Sequence, residues 1–240
     1  MTTDLDTLVT ALYVKIDDKI GGTRRPGRPP LLSDSELICL AVAQALLGHH
    51  SEARWLRFAH AHLSGMFPYL PERPGYGYRA SHSRFFWGLR LYLVCTPAGM
   101  PIMWALANPK IGEREVLAAM LEIDAKLVAD RDGVLLISDK GFASKPFEET
   151  LAKQGIELLR PSRKREKQRH GEPMLKKVRQ LIESVNDTLK GQLDLEHHGG
   201  RTFEGVAVRV AQRILAMAAA IWHNNKTDAP ITRSLIAYDH

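Results

Sequence analysis

At 240 residues, 45% of them apolar, the chain has enough material for one substantial core and a small additional domain. Its net charge of +6 and pI near 9.4 favour an anionic partner without naming one. No stretch approaches about 18 uninterrupted apolar residues and Met-Thr-Thr-Asp lacks a signal peptide's basic start, so a soluble cytoplasmic protein is expected and a membrane protein is not.

Leu5, Leu8, Val9, Leu12, Tyr13 and Ile16 fall on one face of a first helix. The stretch from Gly21 to Pro30 is rich in Gly, Pro and Arg and predicts an extended, positively charged arm. Its Gly27-Arg28-Pro29 core fits either an arm entering the DNA minor groove or a plain linker. Ser33 with Glu36 forms a capping box for a helix reaching about Leu47, and Gly48 supplies the stop. Ser51 is placed to cap another helix reaching about Leu63. The two helices fit a helix-turn-helix module, and equally an αα-hairpin with no DNA role. Cys39 and Cys95 lie in apolar runs without partner spacing, as core residues of a reducing compartment do.

Phe85–Thr96 and Met100–Pro109 predict a hairpin. A single helix is expected from about Glu113 to Ala129, with Val116, Leu117, Met120, Leu121, Leu127 and Val128 on one side. Val134-Leu135-Leu136-Ile137-Ser138 is a continuous apolar run, the pattern of a strand buried on both faces. It ends in Asp139-Lys140-Gly141, an acid at the strand's carboxyl end followed by a glycine for a sharp turn. Open α/β sheets expose their chemistry at such ends, but an Asp there also caps a following helix, and both roles stay open. Ser144 to Lys153 predicts a short helix leading to a strand at Ile156-Glu157-Leu158-Leu159, a right-handed crossover if the strands are parallel. That strand feeds Arg160, Arg163, Lys164, Arg165, Lys167 and Arg169, interrupted by one acid, Glu166. The basic run is either a solvated loop or a phosphate-binding rim beside a carboxylate site.

Arg179, Glu183 and Lys190 follow with the spacing Arg-x3-Glu-x6-Lys. At about 100° per residue, Glu183 lies roughly 40° from Arg179 and Lys190 roughly 20° back from Glu183, one narrow strip of a single helix. Leu175, Val178, Leu181, Ile182, Val185 and Leu189 form the adjoining apolar stripe. The plain reading is a surface ion-pair network; the functional one is a carboxylate held between two cations. A turn near Gly199-Gly200, a last apolar helix from Phe203 to about His223 and a tail complete the chain. His49-His50, His60-x-His62 and His197-His198 read as polar surface, without acid or cysteine at metal-ligand spacing. Neither a nucleotide-binding glycine loop nor a Gly-x-Ser-x-Gly elbow occurs.

A strand-ending Asp, a basic stretch, and a helical Glu with Arg four before and Lys seven after resemble the Asp-Asp-Glu transposases of bacterial insertion sequences. LLISDKGF, LLRPSRK and VRQLIESVNDTLKGQ carry the resemblance, which runs from roughly Gly75 to the C-terminus. GRPPLLSDSELICLA is similar to the family's helical N-terminal region. The family version usually has Tyr three residues before the Arg, where this chain has Lys176. The resemblance implies an α/β fold: a ribonuclease H-like three-layer α/β/α domain over 75–226, after a small helical region over 1–74 that can bind DNA and before a tail over 227–240. It implies Mg²⁺, replaceable by Mn²⁺, as two ions about 3.5–4 Å apart held by carboxylates. Asp139 would be the second acid and Glu183 the third, both catalytic and metal-binding. Arg179 and Lys190 would bind DNA phosphate, with Arg160, Arg163, Lys164 and Arg165 as the rim. The implied partner is double-stranded DNA, as element terminal repeats and target, bound by a homodimer away from any membrane.

The first acid of that family ends a strand just before the hairpin, and this chain has no Asp or Glu between Glu72 and Glu113. We infer an internal deletion around Pro74–Tyr76 that removes strand and acid together, and so a sheet lacking a member near its centre. Glu72 is a poor substitute, flanked by prolines and a glycine with no strand to present it. The expected function is metal-dependent cleavage and strand transfer at element ends, impaired in this chain. The alternatives are a non-catalytic DNA-binding remnant that inhibits an intact transposase, and a nuclease acting on RNA or hybrid duplexes.

Overall fold

The computed structural model describes residues 2–21, 31–70, 89–131, 133–200, 202–229, 231 and 233–235. The Arg-rich arm after Gly21, Glu72 with the connector around Pro74–Tyr76, and the first part of the expected hairpin lie outside the described residues. The chain divides into two units, one of 1–82 with 186–240 and one of 83–185.

The first unit is helical. Helix α1, Thr2–Ile20, buries Leu5, Leu8, Val9 and Leu12, the face its spacing predicts. Helix α2, Asp34–Leu46, starts in the expected capping box. The Glu36 N–H donates to Ser33 Oγ at 3.1 Å, and the Ser33 N–H donates to Glu36 Oε2 at 2.7 Å. Gly48, at φ +68°, turns the chain after it, a backbone angle that favours glycine. Helix α3, Glu52–His62, buries Trp55 and Ala59, but the Ser51 side chain makes no capping bond. Helix α8, Phe203–Lys226, expected in the core of the catalytic domain, belongs instead to this helical unit and packs on α2. By length and composition it is the one described helix that could cross a membrane, yet Ile214, Ala216, Met217, Ala220 and Ile221 are buried within the protein. Asn224 Nδ2 donates to the Ser234 carbonyl at 2.7 Å, folding the tail back along α8. Cys39 is fully buried, and burial pushes its thiol up to about 12, so it packs as a small apolar residue.

The second unit mixes strands and helices, an α/β arrangement. Strands β1, Arg90–Cys95, and β2, Pro101–Ala107, pair antiparallel with Arg90 opposite Ala107. Helix α4, Glu113–Ile123, and the one-turn helix α5, Lys126–Ala129, lead to strand β3, Val134–Ile137. Helix α6, Lys145–Lys153, then joins β3 to strand β4, Ile156–Leu159, which lies parallel to β3 with Val134 opposite Ile156. The two strand pairs form separate two-stranded sheets among the described residues. One core serves both: Met103 from β2, Leu117 and Met120 from α4, Leu151 from α6, and Ile156 and Leu158 from β4.

Two expectations change here. The helix foreseen over 113–129 breaks between α4 and α5. Continued at helical spacing, the apolar strip of Val116, Leu117, Met120 and Leu121 would place Asp124 against the core. The helix stops there, with Glu122, Ile123, Asp124, Ala125 and Lys126 in solvent. Strand β3 is not buried on both faces: Val134 and Leu136 pack on the core, while Leu135 is 53% exposed and Ile137 36%. The core lies against one face of this two-stranded sheet, so β3 alternates like a half-buried strand despite its apolar sequence.

Candidate active site

Asp139 leaves the carboxyl end of β3 and caps the single 3₁₀ turn Lys140–Phe142. The Gly141 N–H donates to Asp139 Oδ1 at 2.7 Å, so the capping role describes one of its oxygens. The carboxylate is exposed. A Cβ built on Gly141 would sit 2.9 Å from Asp139 Oδ1 and 3.0 Å from Glu113 Oε2. The bare glycine therefore leaves a notch between two carboxylates that no larger residue could share without displacing one. Glu113 opens α4, and Arg90 Nη1 of β1 donates to its Oε1 at 2.6 Å. The other oxygen is the one facing Gly141. Sequence reading passed over Glu113, which lies 26 positions before Asp139; its one signal is being the first acid after the long acid-free stretch.

The basic loop after β4 is held by its interrupting acid. Arg160 is only 4% exposed. Its Nη1 and Nη2 donate to Glu166 Oε2 and Oε1 at 2.8 and 2.9 Å, and its Nε donates to Glu148 Oε1 of α6 at 2.8 Å. Arg169 Nη2 donates to Glu148 Oε2 at 2.6 Å and to Glu166 Oε1 at 3.0 Å. The hydrogen bond from Arg160, then that from the Arg163 N–H, holds the Glu166 carboxyl down at about 2. Burial pushes the Glu148 carboxyl up, but Arg169 and Arg160 outweigh it and leave it below its ordinary value. Arg160 was expected on the phosphate rim; the structure corrects this, because a buried guanidinium saturated by two carboxylates is a scaffold for the loop.

The rest of the rim differs. Arg163 Nη2 donates to the Ala143 carbonyl at 2.7 Å, and Arg114 Nη1 donates to the same oxygen at 3.1 Å. This bond ties the head of the basic loop to the turn that begins at Asp139. Lys164 and Arg165 are exposed on that loop.

Helix α7, Leu175–Asp187, carries Arg179 and Glu183. Arg179 Nε donates to Glu183 Oε1 at 2.9 Å, with the two side chains 81% and 56% exposed, an open i,i+4 ion pair. Lys190 is not on the same α-helical strip. The chain widens into a π-turn over Thr188–Gln192, which shifts the phase of every later side chain. Lys190 Nζ pairs with Glu196 Oε1 at 2.9 Å, and this hydrogen bond raises the amine's pKa. The expected sandwich of one carboxylate between two cations thus reduces to the Arg179–Glu183 pair. The buried Val185, Thr188, Leu189 and Leu193 anchor the widened turn.

The histidines are not uniform surface. His197 Nδ1 lies 2.6 Å from Asp194 Oδ1 and His50 Nδ1 lies 3.5 Å from Asp194 Oδ2, while the His49 ring packs against Trp55 and Phe58. Among the described residues, no three His, Cys, Asp or Glu side chains gather closely enough to hold a metal ion. The Glu113–Asp139 notch is what remains. Its hard carboxylate oxygens fit Mg²⁺, which takes one or two protein carboxylates and completes its shell with waters and phosphate.

The family model for a transposase DDE domain matches residues 77–203, a span that takes in β1 to α7, the π-turn and the turn before α8. No curated protein and no solved structure matches the chain.

Proposed function

The chain belongs to the transposase DDE-domain family, and from that premise we propose that it cuts and joins DNA strands at the ends of an insertion sequence with a divalent metal, Mg²⁺ or Mn²⁺. The observation that carries the proposal is the bond from Arg163 to the Ala143 carbonyl. It sets the cationic loop against the turn in which Asp139 stands exposed, so that a phosphate and a carboxylate-held cation can meet.

When bound, the metal stabilises charge on the phosphate and activates the attacking oxygen. Asp139 holds it, with Glu183 as the family's later acid. Lys164, Arg165, Arg179 and Lys190 bind the DNA backbone as salt-sensitive phosphate contacts. Arg163 positions the loop and lends it charge. The partner is double-stranded DNA, gripped by a homodimer in the cytoplasm. The α2–α3 pair in the region 1–74 is available for sequence recognition.

We further propose a ribonuclease H-like layout with a central strand deleted. Two two-stranded sheets that share one core, with Leu135 and Ile137 exposed on β3, support it. The strand that would carry the first acid is the piece removed, so cleavage is slow relative to a complete member. The lack of acids between Glu72 and Glu113 favours a second reading, a DNA-binding remnant that hetero-oligomerises with an intact transposase and inhibits it. A strand-transfer assay with labelled element ends and a target plasmid separates the two. Joined products support the first reading. Salt-sensitive binding without products, together with inhibition of an intact enzyme, supports the second.

A further inference from the structure

We propose that Glu113 is a metal ligand beside Asp139, supplying from the start of α4 the carboxylate that the deleted strand no longer provides. The proposal rests on Asp139 being the site carboxylate and adds to it a residue that neither the sequence pattern nor the family match assigns.

Three features carry it. The Glu113 Oε2 and Asp139 Oδ1 oxygens both border the Cβ position of Gly141, so they are no further apart than those two short distances added together. Arg90 takes only Oε1 of Glu113 and fixes the rotamer with Oε2 turned to the notch. Asp139 is likewise fixed through Oδ1 by the Gly141 N–H; this same oxygen borders the notch, and a carboxylate oxygen that accepts one hydrogen bond keeps a second lone pair for a cation. Both carboxylates are therefore oriented without being saturated, the arrangement that second-shell bonds give to metal ligands.

The alternative role for Glu113 is local: an acid in the first turn of α4, favoured by the helix dipole, in a partly exposed pair with Arg90. That role makes no demand on Gly141 and is indifferent to metal. The two differ in what Gly141 does. Gly141 is not among the positive-φ glycines, so alanine meets no backbone penalty, and its methyl would fill the space between the carboxylates. A two-carboxylate notch holds one ion and leaves the others of its contacts to water and phosphate, which accords with slow catalysis.

The test is Mn²⁺ binding to the full-length chain, followed by electron paramagnetic resonance of the free ion. Metal alone is titrated into wild type, Glu113→Gln, Asp139→Asn, Gly141→Ala and Glu122→Gln, with melting curves for each. Wild type is expected to bind Mn²⁺, and the first three variants to weaken it by about tenfold or more, while Glu122→Gln, on the exposed side of α4, matches wild type. If Glu113→Gln fails to fold, Gly141→Ala decides, because it keeps both carboxylates and blocks only the notch. Wild-type affinity in folded Glu113→Gln or in Gly141→Ala overturns the proposal, as does a folded wild type that binds no Mn²⁺. DNA nicking lost in Asp139→Ala but unchanged in Glu113→Gln also overturns it while leaving the transposase reading intact. Mn²⁺ binding through both residues without any nicking supports the ligand pair and sinks the catalytic reading instead.

Discussion

Arg160 meets Glu166 as a two-pronged fork, Nη1 to Oε2 at 2.8 Å and Nη2 to Oε1 at 2.9 Å, with the arginine 4% exposed. This pair fixes the path of the basic loop, and the neighbouring cations inherit their positions from it. Arg160→Ala removes three charge-assisted bonds to Glu148 and Glu166, leaves Arg169 to hold both acids, and is expected to cost about 2–3 kcal/mol of stability. Lys164→Ala, on the exposed part of the same loop, is expected to stay within about 0.5 kcal/mol of wild type. Urea unfolding of the two variants side by side checks the contrast.

The same fork predicts an acid limb. The Glu166 carboxyl is held at about 2, well under its ordinary 4.5, so the folded state binds fewer protons than the unfolded chain across that interval. Its contribution to stability is therefore complete above pH 4.5 and is lost as pH falls toward 2. Glu166→Gln should lower the melting temperature at neutral pH yet flatten its fall through that window. A melting series against pH in both proteins reads the difference.

DNA binding should separate exposed cations from the buried one. Removing Lys164, Arg165 or Arg179 is expected to lower the slope of log affinity against log salt by about 1 each, as single phosphate contacts do. The Arg179–Glu183 pair is open to solvent, so Arg179→Ala should change stability by no more than about 0.5 kcal/mol. Fluorescence anisotropy across a salt series on a labelled duplex gives the slopes.

At the other end of the chain, Ser33→Ala removes the side-chain acceptor for the Glu36 N–H at the start of α2. The expected loss is about 1 kcal/mol, measurable by chemical denaturation.

Local rules were legible in the sequence. The apolar face of α1, the Ser33–Glu36 box, the hairpin and the β3–α6–β4 succession all follow from patterns within single elements and the turns that join them. What was not legible depends on residues brought together by folding. Nothing near Arg160 in the basic run announces that Glu148, a helix earlier, would meet it, although the lone acid Glu166 was a signal left unused. The π-turn at Thr188–Gln192 preserves the apolar positions Leu189 and Leu193 while breaking the phase of Lys190, and a uniform helical wheel cannot see that. Glu113 is hidden for a similar reason: its relation to Asp139 runs through the notch at Gly141, not through any spacing.

Metal-dependent cutting through Asp139 is read directly by nicking of a supercoiled plasmid that carries the coding sequence with its native flanking DNA. Wild type and Asp139→Ala are compared with Mg²⁺, with Mn²⁺ and with chelator. Wild type is expected to nick slowly and only with metal, and Asp139→Ala not at all, while DNA binding persists in both. Nicking that survives in Asp139→Ala, or a folded wild type that binds the plasmid and never nicks it with either metal, overturns Asp139 as the metal-holding acid of a DNA-cutting site.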